Sequence, residues 1–185
     1  MANNKTEKAI CSLKVEKGKE RYLDYEYLLK TGKKNPEKLY PYSNQIASAL
    51  KNKKVDIIYV ALHLAAYTSK KDDGEFFKSI FEDYYFLLSH ESILVPTIAA
   101  GLSGLIITKN PDLEPQITDI LLNCDKIVKV KNMGLTQAYI VNAFSEYFTL
   151  SPRQADMLEF AKKSLTSKSP KAKQVSKDFI KRHGV

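Results

Sequence analysis

Hydrophobic residues recur with helical periodicity along most of the chain. In residues 56–67 the apolar side chains include i, i+3, i+4 and i+7 relations, and residues 76–88 and 113–122 repeat this pattern. The breaks between these segments contain Gly, Asn, Ser and Pro, which end helices or occupy their first turn. Alternation typical of a strand is confined to residues 127–130, too short to build a sheet. The pattern predicts an all-α fold.

The helical segments recur as pairs. In each pair, one large apolar residue lies late in the first helix and another anchors the second helix. The two residues are 14 positions apart, except in the third pair, where they are 23 apart. The third pair therefore carries an insertion of nine residues, which we place at 125–133 (DKIVKVKNM). Successive second-helix anchors lie 38, 42 and 35 residues apart, at Leu64, Leu102, Phe144 and Phe179.

A repeated helix pair has a direct physical meaning. One antiparallel hairpin cannot cover its own apolar face, whereas stacking the next hairpin on it buries that face and extends one core. The spacing therefore predicts an α–α superhelix of about four stacked helical hairpins, either alone or preceded by an extra degenerate N-terminal hairpin. Small residues would let the stacked helices approach closely, and these are Ala65, Gly101, Ser103, Gly104 and Ser145.

This pattern resembles HEAT repeats and their armadillo-like relatives. The resemblance is carried by Asn35-Pro36, Asn110-Pro111 and Ser151-Pro152 at the starts of first helices, and by VDIIYVALHLA at 55–65 with its counterparts. It covers roughly residues 36–183. It implies a single helical-repeat domain over 1–185, in which residues 1–34 form an N-terminal helical cap and 35–183 form the repeats.

The net charge of +8 is distributed unevenly. Residues 1–54 carry a net +7, residues 55–150 a net −5, and residues 151–185 a net +6. Because the ends of a repeat array need polar outer faces, we interpret most of this basic excess as capping. Nucleic-acid binding by the basic ends is the alternative. Its candidate residues are Lys33, Lys34, Lys53, Lys54, Lys171 and Lys173.

No motif in the chain indicates catalysis or a cofactor. There is no P-loop, no G-x-G-x-x-G after a strand and no H-E-x-x-H, and the two Cys and three His residues are too dispersed for a zinc site. The N-terminus has no apolar h-region and no apolar stretch is long enough to span a bilayer. We therefore expect a cytoplasmic, non-enzymatic protein without metal, cofactor or membrane contact.

A repeat array without catalytic residues is typical of a scaffold that binds a protein partner. We expect the contacts to come from exposed positions of the second helices and from the inserted loop. The candidate partner-binding residues are Asp56, His63, Lys126, Lys129, Lys131, Asn142 and Glu146. Self-association through exposed Tyr and Leu side chains is a third alternative.

Overall fold

The computed structural model describes residues 2–14, 20–130 and 133–184. Within these ranges the regular elements are all helices, and no strand is present. The predicted all-α fold is confirmed. The alternating residues 127–130 form no strand, because Ile127 closes a short helix and Val128 follows it with an extended backbone.

The chain divides into two compact units, residues 1–84 and 85–185. Among the described residues, five α-helices begin in the first unit: α1 (Ala2–Cys11), α2 (Glu20–Lys34), α3 (Ser43–Leu50), α4 (Val55–Tyr67) and α5 (Glu75–Phe86), of which α5 ends just beyond the boundary. The described part of the second unit contains seven: α6 (Leu94–Gly101), α7 (Ser103–Lys109), α8 (Glu114–Leu122), α9 (Cys124–Ile127), α10 (Gly134–Tyr147), α11 (Gln154–Ser164) and α12 (Pro170–His183).

In the first unit, α2 and α4 pack side by side in the same direction. Arg21 at the start of α2 forms a 2.6 Å ion pair with Asp56 at the start of α4. Near the ends of the two helices, a Cβ placed on Gly32 would lie 2.7 Å from Cδ2 of Tyr67. The intervening α3 packs on α4, and α1 packs on α2. Stacked hairpins require two parallel helices connected through an intervening helix, and α2, α3 and α4 have this arrangement.

The second unit repeats this parallel arrangement with α6–α7 and α10. Thr97 and Thr136 share a 3.0 Å hydrogen bond between their hydroxyls, and further along both helices Gly104 lies against the carbonyl of Ala143. A Cβ on Gly104 would lie 2.8 Å from that oxygen, so the backbones meet closely only because the side chain is absent. The predicted role of Gly104 in close helix packing is confirmed.

Helix α10 is also parallel to α12. Lys171 at the start of α12 lies beside Tyr139, and Phe179 near its end packs edge-on against Phe148, with ring centroids 5.4 Å apart. Helix α11 packs antiparallel against α12 as a hairpin. Thus α2 and α4 run in the same direction in the first unit, as do α6–α7, α10 and α12 in the second, which the repeat hypothesis expects. A superhelix of HEAT type stays a prediction.

Aromatic side chains fill the centre of each unit. In the first unit the fully buried Phe77 and Tyr84 meet edge to face, with centroids 5.2 Å apart. In the second unit Phe144 packs in the same way on Phe160 at 5.6 Å. Removing a buried ring of this kind costs about 3–5 kcal/mol, so each unit depends on its own aromatic cluster.

Ser169 and Asn110 each precede a proline at the start of a helix, but their side chains act differently. Ser169 caps α12, because its hydroxyl accepts a 3.3 Å hydrogen bond from the backbone N–H of Ala172, as expected from Ser-Pro. Asn110, which likewise precedes a proline, does not cap the helix after it. Its Nδ2 donates instead to the carbonyl of Ile106 at 3.1 Å, so that the side chain closes the preceding helix α7.

Candidate functional site

Three side chains form a continuous stripe along one side of α10. Tyr139, Asn142 and Glu146 are spaced by three and four residues, which places them on the same side of the helix. Asn142 and Glu146 are exposed and Tyr139 is half-buried. We call these three residues the α10 face. The other sides of α10 are buried, and their residues include Ala138, Ile140, Val141, Ala143 and Phe144.

Glycines on the neighbouring helices shape the α10 face. A Cβ on Gly101 would lie 2.5 Å from Cδ1 of Tyr139, and one on Gly104 would lie 2.9 Å from Cβ of Glu146. The absent side chains leave room for Tyr139 and Glu146 to lie across α6 and α7. On the opposite flank, Nζ of Lys171 stands 4.5 Å from the centroid of the Tyr139 ring, in cation–π geometry.

Glu146 carries an uncompensated negative charge on this face. Although Glu146 is exposed as a residue, its side chain lies against Gly104, and this partial desolvation raises the pKa of its carboxyl above the usual range. In the part of the chain that the structure describes, no cation lies within ion-pair distance of this carboxylate. A partly desolvated carboxylate without a cation is stabilised by any donor brought to it, so the face is chemically suited to a second molecule.

The two candidate residues on α4 have contacts within the protein. Asp56 is half-buried and holds Arg21, and the exposed fractions of these side chains are 30% and 13%. His63 is also half-buried, and its Nδ1 lies 2.9 Å from the carbonyl oxygen of Tyr59. Burial lowers the pKa of His63. The expectation that both are exposed positions is wrong, because neighbouring helices and rings cover them.

The insertion at 125–133 is partly helical. Residues 125–127 belong to α9, so the expected loop is shorter than the insertion. Lys126 is exposed, and its Nζ donates to Oδ1 of Asn123 at 2.8 Å. Lys129 is exposed beyond the end of α9. Lys131 lies outside the described residues. Of the two described lysines, Lys126 therefore contacts Asn123 and has no hydrogen bond or ion pair with Asn142 or Glu146 among the described residues.

The basic candidates of the first unit lie at two separate places. Lys33 and Lys34 form the last turn of α2, while Lys53 and Lys54 precede α4. Since α2 and α4 are parallel, the two pairs lie at opposite ends of α4, about 20 Å apart along a helix of this length. Lys171 and Lys173 are exposed in the first turns of α12 in the second unit. A phosphate-binding surface needs basic side chains that converge on one face, and these four lysines do not converge.

The structure also contains a cleft that was not predicted from the sequence. A cleft of about 340 Å³ opens in the second unit beside α9 and α11, with Arg153 and Lys163 on its wall. Its residues come from separate helices and share no sequence spacing. No signal in the sequence indicates it, because two of its carboxylates, Asp156 and Glu159, lie in the net-positive segment 151–185.

The described residues contain no group of three or more His, Cys, Asp or Glu side chains that could hold a metal ion. None of the helices in residues 2–14, 20–130 and 133–184 is both long and apolar enough to cross a membrane. Comparison with protein-family models, curated proteins and solved structures finds no match to this chain.

Proposed function

We propose that this protein is a non-enzymatic helical scaffold, built of stacked HEAT-like hairpins, that binds a protein partner through the α10 face. The observation that carries the proposal is Glu146, whose carboxylate is partly desolvated against Gly104 and is not paired with a cation among the described residues. A partner that donates a hydrogen bond or a basic side chain to this carboxylate gains a charge-assisted contact.

The rest of the α10 face supports a polypeptide ligand. Tyr139 offers a ring that lies in the space left by Gly101, with Lys171 beside it, and tyrosines often dominate binding energy at protein interfaces. Asn142 supplies an exposed amide between the ring and the carboxylate, with both donor and acceptor atoms. A partner segment that crosses α10 would meet all three groups in turn.

The cysteines fit a reducing compartment. Cys11 and Cys124 are both free thiols, the first exposed and the second buried. Disulfides are rare where glutathione keeps thiols reduced, and an exposed thiol persists there. We therefore place the proposed scaffold in the cytoplasm.

The test is a comparative capture experiment with native extract. The double variant Tyr139→Ala/Glu146→Gln removes the ring and the charge of the α10 face. The matched control Tyr22→Ala/Glu91→Gln makes the same chemical changes at exposed positions elsewhere. We expect quantitative mass spectrometry to find a protein that the wild type and the control retain equally and that the double variant loses at least about tenfold. Equal recovery by all three proteins would contradict the proposal.

Nucleic-acid binding receives no comparable support. The four candidate lysines of the first unit, Lys33, Lys34, Lys53 and Lys54, lie at opposite ends of α4, and nothing among the described residues of either unit favours a phosphate-binding surface. A salt titration with duplex and single-stranded DNA tests this alternative, since phosphate contacts would produce a steep dependence of affinity on salt.

A further inference from the structure

The cleft in the second unit lies on another side of α10 from the α10 face. Gln137 lines the cleft, and it precedes Tyr139 by two residues, or about 200° around a helix. The cleft has a volume of about 340 Å³, within the range of ordinary ligand sites. Leu122 and Phe160 give it an apolar surface between polar walls. It has room for one long side chain.

The two cations of the cleft are already neutralised. Arg153 donates from Nε to Asp156 at 2.7 Å and from Nη1 to Asp119 at 3.1 Å. Nζ of Lys163 lies 2.8 Å from Glu159. Each cation therefore holds at least one carboxylate, and neither is left to attract an anionic ligand.

Negative charge is in excess around the cleft. Four carboxylates line the cleft or pair with its wall, those of Asp119, Asp125, Asp156 and Glu159. They face three cations: Arg153, Lys163 and Lys126, whose Nζ bonds to the lining Asn123. Asp125 is exposed, and within the described ranges no cation lies at ion-pair distance from it. The cleft can thus accept one further positive charge, and a cationic group on a bound molecule would pair with the carboxylate of Asp125.

We infer that this cleft binds an arginine side chain of a partner polypeptide. The guanidinium would reach the carboxylates of Asp125 and Glu159, and its flat surface would stack on the ring of Phe160. The aliphatic stem would cover Leu122. This combination of a planar cation and an apolar stem matches arginine better than an anion, because both resident cations already hold carboxylates. The site is separate from the α10 face and is tested without knowledge of the partner.

The experiment is a two-dimensional ¹⁵N NMR titration of the full chain with the peptide acetyl-Ala-Arg-Ala-amide. A second titration uses the peptide with citrulline in place of arginine, which keeps the shape and removes the charge. We expect saturable shifts confined to residues 122–127, Gln137 and residues 153–164, with affinity at least about fivefold lower for citrulline. Equal binding of the two peptides, shifts spread over all acidic surfaces, or no saturable shift would overturn the inference.

Two matched variants separate the cleft from general attraction by a charged surface. Asp125→Asn removes one carboxylate of the cleft, and Asp178→Asn removes an exposed carboxylate on α12. We expect the first variant to lower the affinity for the arginine peptide about fivefold and the second to leave it unchanged. Glu159→Gln serves as an independent second test of the cleft. An equal loss for Asp125→Asn and Asp178→Asn would overturn the inference.

Discussion

The carboxylate of Glu114 accepts a 2.5 Å hydrogen bond from the hydroxyl of Ser151, which follows it by 37 residues. Both residues are buried, with 4% of their surface exposed. The hydroxyl of Thr118 donates to the same carboxylate oxygen at 2.8 Å and is itself bonded to the hydroxyl of Tyr147 at 2.9 Å. Because a buried carboxylate is costly without donors, this network holds together the start of α8, the end of α10 and the segment before α11.

Replacing Ser151 with alanine should therefore destabilise the protein. The variant Ser151→Ala leaves the buried carboxylate of Glu114 with one donor fewer, and we expect the free energy of unfolding to fall by about 1–3 kcal/mol. Urea unfolding followed by circular dichroism measures the change. The matched control Ser48→Ala removes an exposed hydroxyl from α3 and should change the free energy by less than about 0.5 kcal/mol. Equal stabilities for the two variants would show that the network is not stabilising.

A methyl group added at Gly104 tests the close approach of α7 and α10. Helix propensity alone would make Gly104→Ala stabilising by about 1 kcal/mol. The new Cβ, however, would lie 2.8 Å from the backbone carbonyl of Ala143, which cannot rotate away. Overpacking of this kind costs about 1–3 kcal/mol, so we expect a net loss of stability.

The control for this substitution is Gly101→Ala on α6. Its added Cβ would meet the ring of Tyr139, a side chain that can move by rotating about its own bonds. We expect a smaller loss than at Gly104, measured by thermal unfolding. A rise in melting temperature for Gly104→Ala would contradict the close backbone packing.

The sequence predicts the helices better than it predicts the polar contacts between them. The helices α4, α5 and α8 coincide with periodic apolar segments, because a packed helix must repeat its apolar side every three or four residues. The glycines at 101 and 104 were expected at a close helix contact, and the structure places them there. Such features are local or periodic, so they can be recognised in one sequence.

The polar contacts depend on where distant residues meet in three dimensions. Glu114 looks like an ordinary acidic residue in a first helical turn, and only the fold reveals that Ser151 buries it. Asp56 and His63 were expected to be exposed on α4, yet Arg21 and the ring of Tyr59 cover them. The cleft beside α9 and α11 likewise joins side chains from separate helices. The spacing of residues along the chain does not indicate which of these distant side chains come into contact.

The two cysteines should differ strongly in reactivity. Burial raises the pKa of the Cys124 thiol to about 12, whereas Cys11 is exposed. Since the thiolate is the reactive form, we expect Ellman's reagent to modify Cys11 in the folded protein and Cys124 only after unfolding. The variant Cys11→Ser should therefore show no rapid reaction without denaturant and one equivalent with it. Rapid reaction of the folded variant would contradict the burial of Cys124.

His63 should make the first unit less stable in mild acid. Burial lowers the pKa of its imidazole below the ordinary value of 6.5, so the folded protein favours the neutral ring. As the pH falls through 6.5, the unfolded chain takes up a proton at this position before the folded chain does. The free energy of unfolding therefore decreases with falling pH until the folded pKa is passed. Between about pH 7.5 and pH 5.5 this loss is at most about 1.4 kcal/mol for one histidine.

The variant His63→Gln removes this titration and keeps a polar side chain near the carbonyl of Tyr59. We expect wild type to lose more stability than the variant between the two pH values, as measured by urea unfolding of both proteins in the same buffers. His90 and His183 are present in both proteins, so their contributions cancel in the comparison. NMR titration of the His63 ring protons measures the same quantity directly. A ring pKa above 6.5, or equal pH dependence of the two proteins, would show that burial does not disfavour the charged imidazole.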